Sequence, residues 1–138
     1  MEAVTPNSLC FGLYSLSRVL IKRYNRILAP YSLTYTQYLV LSQLWSNPAL
    51  RMRSLEKNLN LDSNTLTPVI KKLENRGFLH KRRAVGDERS LILRITDEGL
   101  ELERKIAPSI AQTEAELPLA ADEREKLAAI LNKLMEAE

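Results

Sequence analysis

The stretch from Leu61 to Arg94, LDSNTLTPVIKKLENRGFLHKRRAVGDERSLILR, constrains the fold more than any other part of this 138-residue chain. Its hydrophobic period changes once, at Gly77. Before the glycine, Leu66, Val69, Ile70 and Leu73 recur at three- and four-residue spacing, which predicts one apolar face of a helix. Asp62 or Ser63 supplies the cap, because a short polar side chain accepts hydrogen bonds from the free N–H groups of the first turn. Gly77 closes the helix, since glycine enters the left-handed region without a steric penalty. After it the period is two. Phe78 to Arg83 reads as a strand, and Leu91, Leu93 and Ile95 alternate with Ile92 and Arg94 in a second. The loop between them, Ala84 to Ser90, holds Gly86 and Asp87 for the turn. A helix followed by a basic hairpin predicts a winged helix-turn-helix, in a mainly α fold with a small β-hairpin wing.

A cationic helix face is often no more than a solvated one, so the charge distribution has to decide. From Arg51 to Arg94 there are eleven Lys/Arg against five Asp/Glu, and from Asp97 to Glu138 five against eleven. The net charge of +3 conceals this division. It suits a basic surface turned toward phosphate and an acidic one turned away, and so predicts binding to double-stranded DNA. The face opposite the apolar one carries Asn64, Thr67, Lys71, Lys72 and Arg76. Ser63, Asn64, Thr65, Thr67, Lys71 and Lys72 are the candidates for the major groove. Arg82 and Arg83 suit phosphate, and Arg89, held by Asp87 at the wing tip, suits a minor groove.

Composition excludes several classes. With 45% hydrophobic and 27% charged residues, the chain has the make-up of a globular domain. A single cysteine, Cys10, rules out an intrachain disulfide, and a single histidine, His80, leaves no credible metal constellation. No phosphate-binding glycine loop, Ser/His/Asp set or paired carboxylates stand out. The expectation is a protein that is not an enzyme and needs no cofactor. No apolar run is long enough to span a bilayer and no secretory signal pattern opens the chain, so a cytoplasmic location is expected.

Taken in order, residues 1–7 read as an arm, with Asn7 or Ser8 capping a helix from Leu9 to Leu28. Leu9, Leu13, Leu16, Leu20 and Ile27 form one stripe of it, while Phe11, Tyr14, Val19, Ile21 and Tyr24 occupy other faces. That apolar surface is too wide for one neighbouring layer and predicts a subunit interface. Thr34 with Gln37 is a capping-box pattern opening a second helix, buried through Tyr38, Leu41, Leu44 and Trp45. Arg53 to Asn60, with Leu55 and Leu59 inward, is the first helix of the helix-turn-helix. Pro68 removes a backbone hydrogen bond from the second and predicts a bend. Thr96 caps a long helix bearing Asp97, Glu98, Leu100, Ile106 and Ile110, with a kink expected at Pro108. Asp122, with Glu125 at the box position, opens a last helix bearing Leu127, Ile130, Leu131 and Leu134. The expected organisation is one domain, 1–138. Residues 9–46 and 97–138 would build a homodimer around a DNA-binding lobe at 49–96. Two basic modules on one face would then meet operator half-sites about 34–36 Å apart.

The segments LCFGLYSLSR at 9–18, LTYTQYLVLSQLW at 33–45, LDSNTLTPVIKKLE at 61–74 and DERS at 87–90 resemble the MarR family of bacterial transcriptional regulators. Within it they are most similar to the organic-hydroperoxide-sensing OhrR branch, over nearly the whole chain. Asn64 departs from the glycine usual in that motif, which bears on helix entry and base preference. The resemblance implies that Cys10 is a redox sensor, that Tyr24 and Tyr35 hydrogen-bond to its sulfur, and that Phe11 and Tyr14 line an apolar pocket beside it. It also implies a repressor of a pseudo-palindromic operator. Its signals would be an organic hydroperoxide and a low-molecular-weight thiol, the oxidised cysteine being either capped by that thiol or overoxidised.

Residue spacing bears on that implication. Cys10 and Tyr24 lie fourteen residues apart, about 21 Å of rise on one continuous helix. They cannot meet within one chain, so a shared site needs two. By composition alone Cys10 is a small buried hydrophobe, and each tyrosine is interface packing with a wet hydroxyl. Their joint placement favours the sensor. Two rivals keep the fold: release by a small aromatic ligand in the dimer cleft, and a broad oxidative-stress or virulence thiol regulator. Two others change the function class: a thiol peroxidase, for which no recycling cysteine or reductant site is visible, and a winged-helix module that binds protein, which the basic middle segment disfavours.

Overall fold

The computed structural model describes residues 3–137, and of Asp87, Glu88 and Arg89 it describes the backbone alone. Helix α1 spans Leu9–Leu28 and runs into a 3-10 turn at Ala29–Tyr31. Helix α2 (Tyr35–Ser46) and a short strand β1 (Ala49–Arg51) follow, then α3 (Met52–Leu59) and α4 (Ser63–Asn75). The hairpin β2 (Leu79–Ala84) and β3 (Asp87–Ile95) leads into α5 (Asp97–Ala115) and α6 (Ala121–Glu136). The expected winged helix-turn-helix within a mainly helical fold is therefore what forms.

Local chemistry sets the boundaries. Thr34 accepts from Gln37 N at 3.1 Å while Gln37 Oε1 accepts from Thr34 N at 3.0 Å, the reciprocal box expected at the start of α2. Asp62, and not Ser63, caps α4, accepting from Thr65 N at 2.8 Å. Asn60, at φ 52°, turns the chain between α3 and α4, and Gly77, at φ 81°, closes the second of them. Thr96 caps α5, its hydroxyl accepting from Gly99 N at 3.1 Å. That hydroxyl also donates to the Gly77 carbonyl at 2.6 Å, which ties the end of the recognition helix to the start of α5.

Several expectations change. Ser8 stands at the cap position of α1, but its hydroxyl turns back to accept from Thr5 N at 2.8 Å and caps nothing in the helix. The last helix opens at Ala120, with Glu123 and not Glu125 accepting the Ala120 N–H at 2.9 Å. The hairpin loop is tighter than read, because β3 already begins at Asp87 and Gly86, at φ 81°, makes the turn. An irregularity between Arg83 and Ala84 absorbs the register. Strand β1 was not foreseen. It pairs antiparallel with β3, Leu50 opposite Leu93, giving a sheet ordered β1-β3-β2. Three residues beside a proline carry too little period to be read as a strand. Helices α4 and α5 each run as one helix through Pro68 and Pro108.

The core gathers Leu28, Leu33, Val40, Leu41, Leu44, Leu55, Leu66, Ile70, Leu73, Leu79, Leu93 and Ile106 between α2, the sheet and the inner faces of α3, α4 and α5. In α5 the inward residue is Leu102, while Leu100 stays exposed, since Leu102 and Ile106 are the pair that share a turn-spaced face. Helix α1 leaves much of its wide apolar surface uncovered within the chain. Its leucine stripe at Leu9, Leu13 and Leu16 is exposed, and the residues it buries are Tyr24 and Leu28 near its C-terminal end. Helix α6 buries no residue at all.

Gly99 is where these layers are pinned. A Cβ there would stand 2.5 Å from both the Phe78 carbonyl oxygen and Ile95 Cδ1, so only glycine lets α5 approach the hairpin this closely. Its carbonyl accepts from Trp45 Nε1 at 2.9 Å, fastening α2 to the same point.

Candidate nucleic-acid interface and sensor site

With Leu66, Ile70 and Leu73 buried, the opposite face of α4 is left to solvent. Ser63, Asn64, Thr65, Thr67, Lys71 and Lys72 are all exposed there. The cap is electrostatically settled: the Thr65 backbone N–H, followed by the Thr65 side chain and the Asn64 N–H, holds the Asp62 carboxyl below its ordinary value. Thr67 directs its hydroxyl proton to the Ser63 carbonyl at 2.6 Å, leaving its oxygen to accept and its methyl to make apolar contact.

Arg76 leaves this cationic face. Its guanidinium donates to the Tyr31 and Ser32 carbonyls at 2.7 Å each and lies 4.8 Å from the Phe78 ring centroid. It serves as a strut between α4 and the turn that follows α1. On β2, Lys81 pairs with Glu74, through Nζ at 3.8 Å and its backbone N–H at 3.0 Å. Arg82 and Arg83 are exposed on the same strand. The side chains of Asp87 and Arg89 lie outside the described residues. His80 is exposed, and the described residues contain no group of His, Cys, Asp and Glu able to hold a metal ion.

The residues assigned to redox sensing fall in two places. Cys10 is the second residue of α1 and is exposed, so it is not a buried hydrophobe of its own chain. Phe11 and Tyr14, at 61% and 59% exposure, stand beside it on a surface that also presents Leu9, Leu13 and Leu16. Tyr14 accepts from Arg18 at 3.0 Å, with the guanidinium 5.7 Å from its ring centroid.

At the far end of the same helix Tyr24 and Tyr35 come together, edge to face, with ring centroids 5.2 Å apart. Tyr38 completes the cluster at 5.6 Å from Tyr24 and 5.9 Å from Tyr35, and leans on Trp45. The Tyr24 hydroxyl donates to Glu114 Oε1 at 2.7 Å. Burial first, and then the Glu114 carboxylate, push the Tyr24 phenol well above its ordinary value. Tyr35 and Tyr38 are raised as well, again by burial before charge. All three therefore remain protonated donors at neutral pH.

Sequence reasoning did not single out Tyr38 as a member of this cluster, nor Glu114 or Gly99. Tyr38 had been read as core, which it partly is. Glu114 is one acidic residue among many in the C-terminal segment, and no spacing rule marks it.

Comparison with known proteins places the chain. The SarA/Rot transcriptional regulator family matches it over residues 22–106. The organic hydroperoxide resistance transcriptional regulator of Bacillus subtilis is 40% identical over 99 residues, 72% of this chain and 67% of that protein. The protein belongs to the MarR/SarA family of transcriptional regulators. Another family member, the HTH-type regulator SarZ of Staphylococcus haemolyticus, is 33% identical over 91% of this chain and 86% of its own. Among solved structures, reduced AbfR bound to DNA superposes at a TM-score of 0.81, with 34% identity over 95% of this chain and 91% of its own. The PcaV regulator of Streptomyces coelicolor, in complex with its natural ligand, superposes at 0.76 with 32% identity, over 99% of both chains. The OhrR-like members of the family are thus its near relatives, and no helix among the described residues is long and apolar enough to cross a membrane.

Proposed function

We propose that this regulator binds a pseudo-palindromic operator in duplex DNA as a homodimer, acts as a repressor, and lets go when an organic hydroperoxide oxidises Cys10. Residues 9–46 and 97–138 join the two chains, and the 49–96 lobe reads DNA. Ser63, Asn64, Thr65, Thr67, Lys71 and Lys72 enter the major groove, Arg82 and Arg83 meet phosphate, and Arg89, with Asp87, serves the wing tip. The observation that carries the sensor half is the placement of Cys10. It is exposed at the start of α1, beside the exposed apolar side chains of Leu9, Phe11, Leu13 and Tyr14, while the phenols sit at the opposite, packed end of the helix. Two copies with α1 running past α1 bring the sulfur of one to Tyr24 and Tyr35 of the other.

The chemistry follows from that pairing. The nucleophile is the Cys10 sulfur in its thiolate form. It attacks one oxygen of the hydroperoxide, the O–O bond breaks, and the departing alkoxide takes a proton to leave as an alcohol. Cys10 becomes a sulfenic acid. A low-molecular-weight thiol then displaces hydroxide, which leaves as water, and forms a mixed disulfide. The apolar side chains of Phe11 and Tyr14 favour an organic hydroperoxide over hydrogen peroxide. Added bulk where two chains meet changes the separation of the recognition helices, so both half-sites cannot be seated together. Among relatives, AbfR has been solved bound to DNA in both reduced and overoxidised forms, and in a disulfide form.

Operator binding followed by fluorescence anisotropy tests the reading. The reduced protein binds with a steep salt dependence, cumene hydroperoxide weakens binding at least tenfold, and Cys10→Ser binds but ignores the oxidant. A Cys10→Ser variant that still releases DNA on oxidation would refute it. A second reading, release by a small aromatic ligand, draws on the similarity to PcaV and on a groove of about 480 Å³ lined by Tyr31, Arg76, Phe78, Leu102 and Lys105. It is the weaker, because the Arg76 guanidinium that would hold a ligand carboxylate is already committed to two carbonyls.

A further inference from the structure

The tyrosine cluster contains a conflict over one proton. A phenol has a single O–H to give, and the Tyr24 proton goes to Glu114 Oε1 at 2.7 Å. The bond is short and joins a buried phenol to an exposed carboxylate. It also joins α1 to α5, so the Tyr24 ring is held by packing on one side and a carboxylate on the other. Tyr24 itself is only 8% exposed.

A thiolate arriving from a second chain would find the Tyr24 proton taken and a negative charge behind it. Tyr35 is placed differently. It opens α2, meets Tyr24 edge-on at 5.2 Å, and its hydroxyl makes no hydrogen bond among the described residues. Tyr38 has its ring against Trp45.

We propose that Glu114 is a positioning residue that claims the Tyr24 proton and leaves Tyr35 as the phenol that serves the Cys10 sulfur of the partner chain. This rests on the hydroperoxide-sensing reading and adds a division of labour to it. Tyr35 touches the reacting sulfur, whereas Tyr24 is a wall of the site whose orientation Glu114 sets. Removing Glu114 releases a second donor.

The test is the pH–rate profile of Cys10 oxidation by cumene hydroperoxide, read on the full-length protein without DNA. Tyr35→Phe slows the reaction about tenfold or more and moves the profile to higher pH, the cost of losing a hydrogen bond to a charged acceptor. Tyr24→Phe slows it less than Tyr35→Phe does. The decisive variant is double: Glu114→Leu in the Tyr35→Phe background recovers rate, because the freed Tyr24 proton takes over. Glu114→Gln, which keeps an acceptor for Tyr24, recovers less. A purely structural role for Glu114 would make the double variant slower, not faster. Equal losses in Tyr24→Phe and Tyr35→Phe, or no recovery in the double variant, overturn the inference while leaving peroxide sensing intact. A wild-type Cys10 that reacts no faster than a free thiol overturns the sensing reading and this inference with it.

Discussion

The middle of this molecule and its two ends solve opposite problems. In the middle, α3, α4 and the sheet bury their apolar residues within one chain, and what remains outside is polar and cationic. At the ends, α1 leaves Leu9, Phe11, Leu13, Tyr14, Leu16, Val19 and Ile21 exposed, and α6 leaves Leu127, Ile130, Leu131, Leu134 and Met135 exposed. The middle is complete by itself and is shaped for a polyanion. The ends are incomplete by themselves, and burying even half of that surface would contribute on the order of 10 kcal/mol. In the proposed reading, a DNA reader on the finished lobe and a sensor on the unfinished ends are separable: oxidation need disturb only the part that two chains would share.

The largest effect expected from this contrast comes from charging the ends. Leu131→Glu, on the exposed face of α6, should dissociate the dimer at micromolar concentration in sedimentation velocity and abolish tight operator binding. The circular dichroism of the middle lobe should persist. A variant that stays dimeric would show that α6 faces water and that the contrast is misplaced.

A smaller effect comes from the joint between the two regions. Gly99→Ala must push against the Phe78 carbonyl, a backbone atom with little freedom, as well as Ile95. The expected loss is about 1–3 kcal/mol in urea unfolding, the usual cost of overpacking. A loss within error would mean that α5 can shift away from the hairpin freely.

The smallest effect is one of pH. Tyr24, Tyr35 and Tyr38 are all held above their ordinary values, chiefly by burial. Because their folded values exceed the unfolded one, the stability they contribute is complete below about pH 10. It declines as the pH rises from there through the raised folded values. Thermal melts between pH 9 and 11.5 should therefore fall, and Tyr24→Phe should flatten the fall. A melt independent of pH across that range would place the phenols in water.

How much of this was legible beforehand follows the same division. The middle lobe was readable because its signals are local: Leu66, Ile70 and Leu73 at helical spacing, Asp62 as cap, Gly77 as stop, and a period of two on the far side. Strand β1 escaped, being three residues long and stabilised by pairing with β3 across more than forty residues of chain. At the ends, periodicity gave the helices but could not say which apolar face turns inward. The wide apolar surface of α1 is expected to exceed one layer, but that Leu9, Leu13 and Leu16 stay outside while Tyr24 and Leu28 turn inward is decided by α2 and α5 and not by α1. The site shows the same limit. Cys10 and its tyrosines could be named from motifs, but the Tyr24–Glu114 bond joins residues ninety positions apart, and only the folded chain brings them together. Arg76 reads as part of the cationic face of the recognition helix and is instead a strut, spent on carbonyls that no sequence pattern reveals.

The central claim is that the sulfur and the phenol that serves it belong to different chains. Mixed dimers test this directly: one chain carries Cys10→Ser with Tyr35 intact, the other carries Tyr35→Phe with Cys10 intact. In trans, the remaining cysteine faces an unaltered tyrosine and should react with cumene hydroperoxide at the full per-site rate. If that cysteine reacts as slowly as in the Tyr35→Phe homodimer, the two groups act within one chain and the account is contradicted.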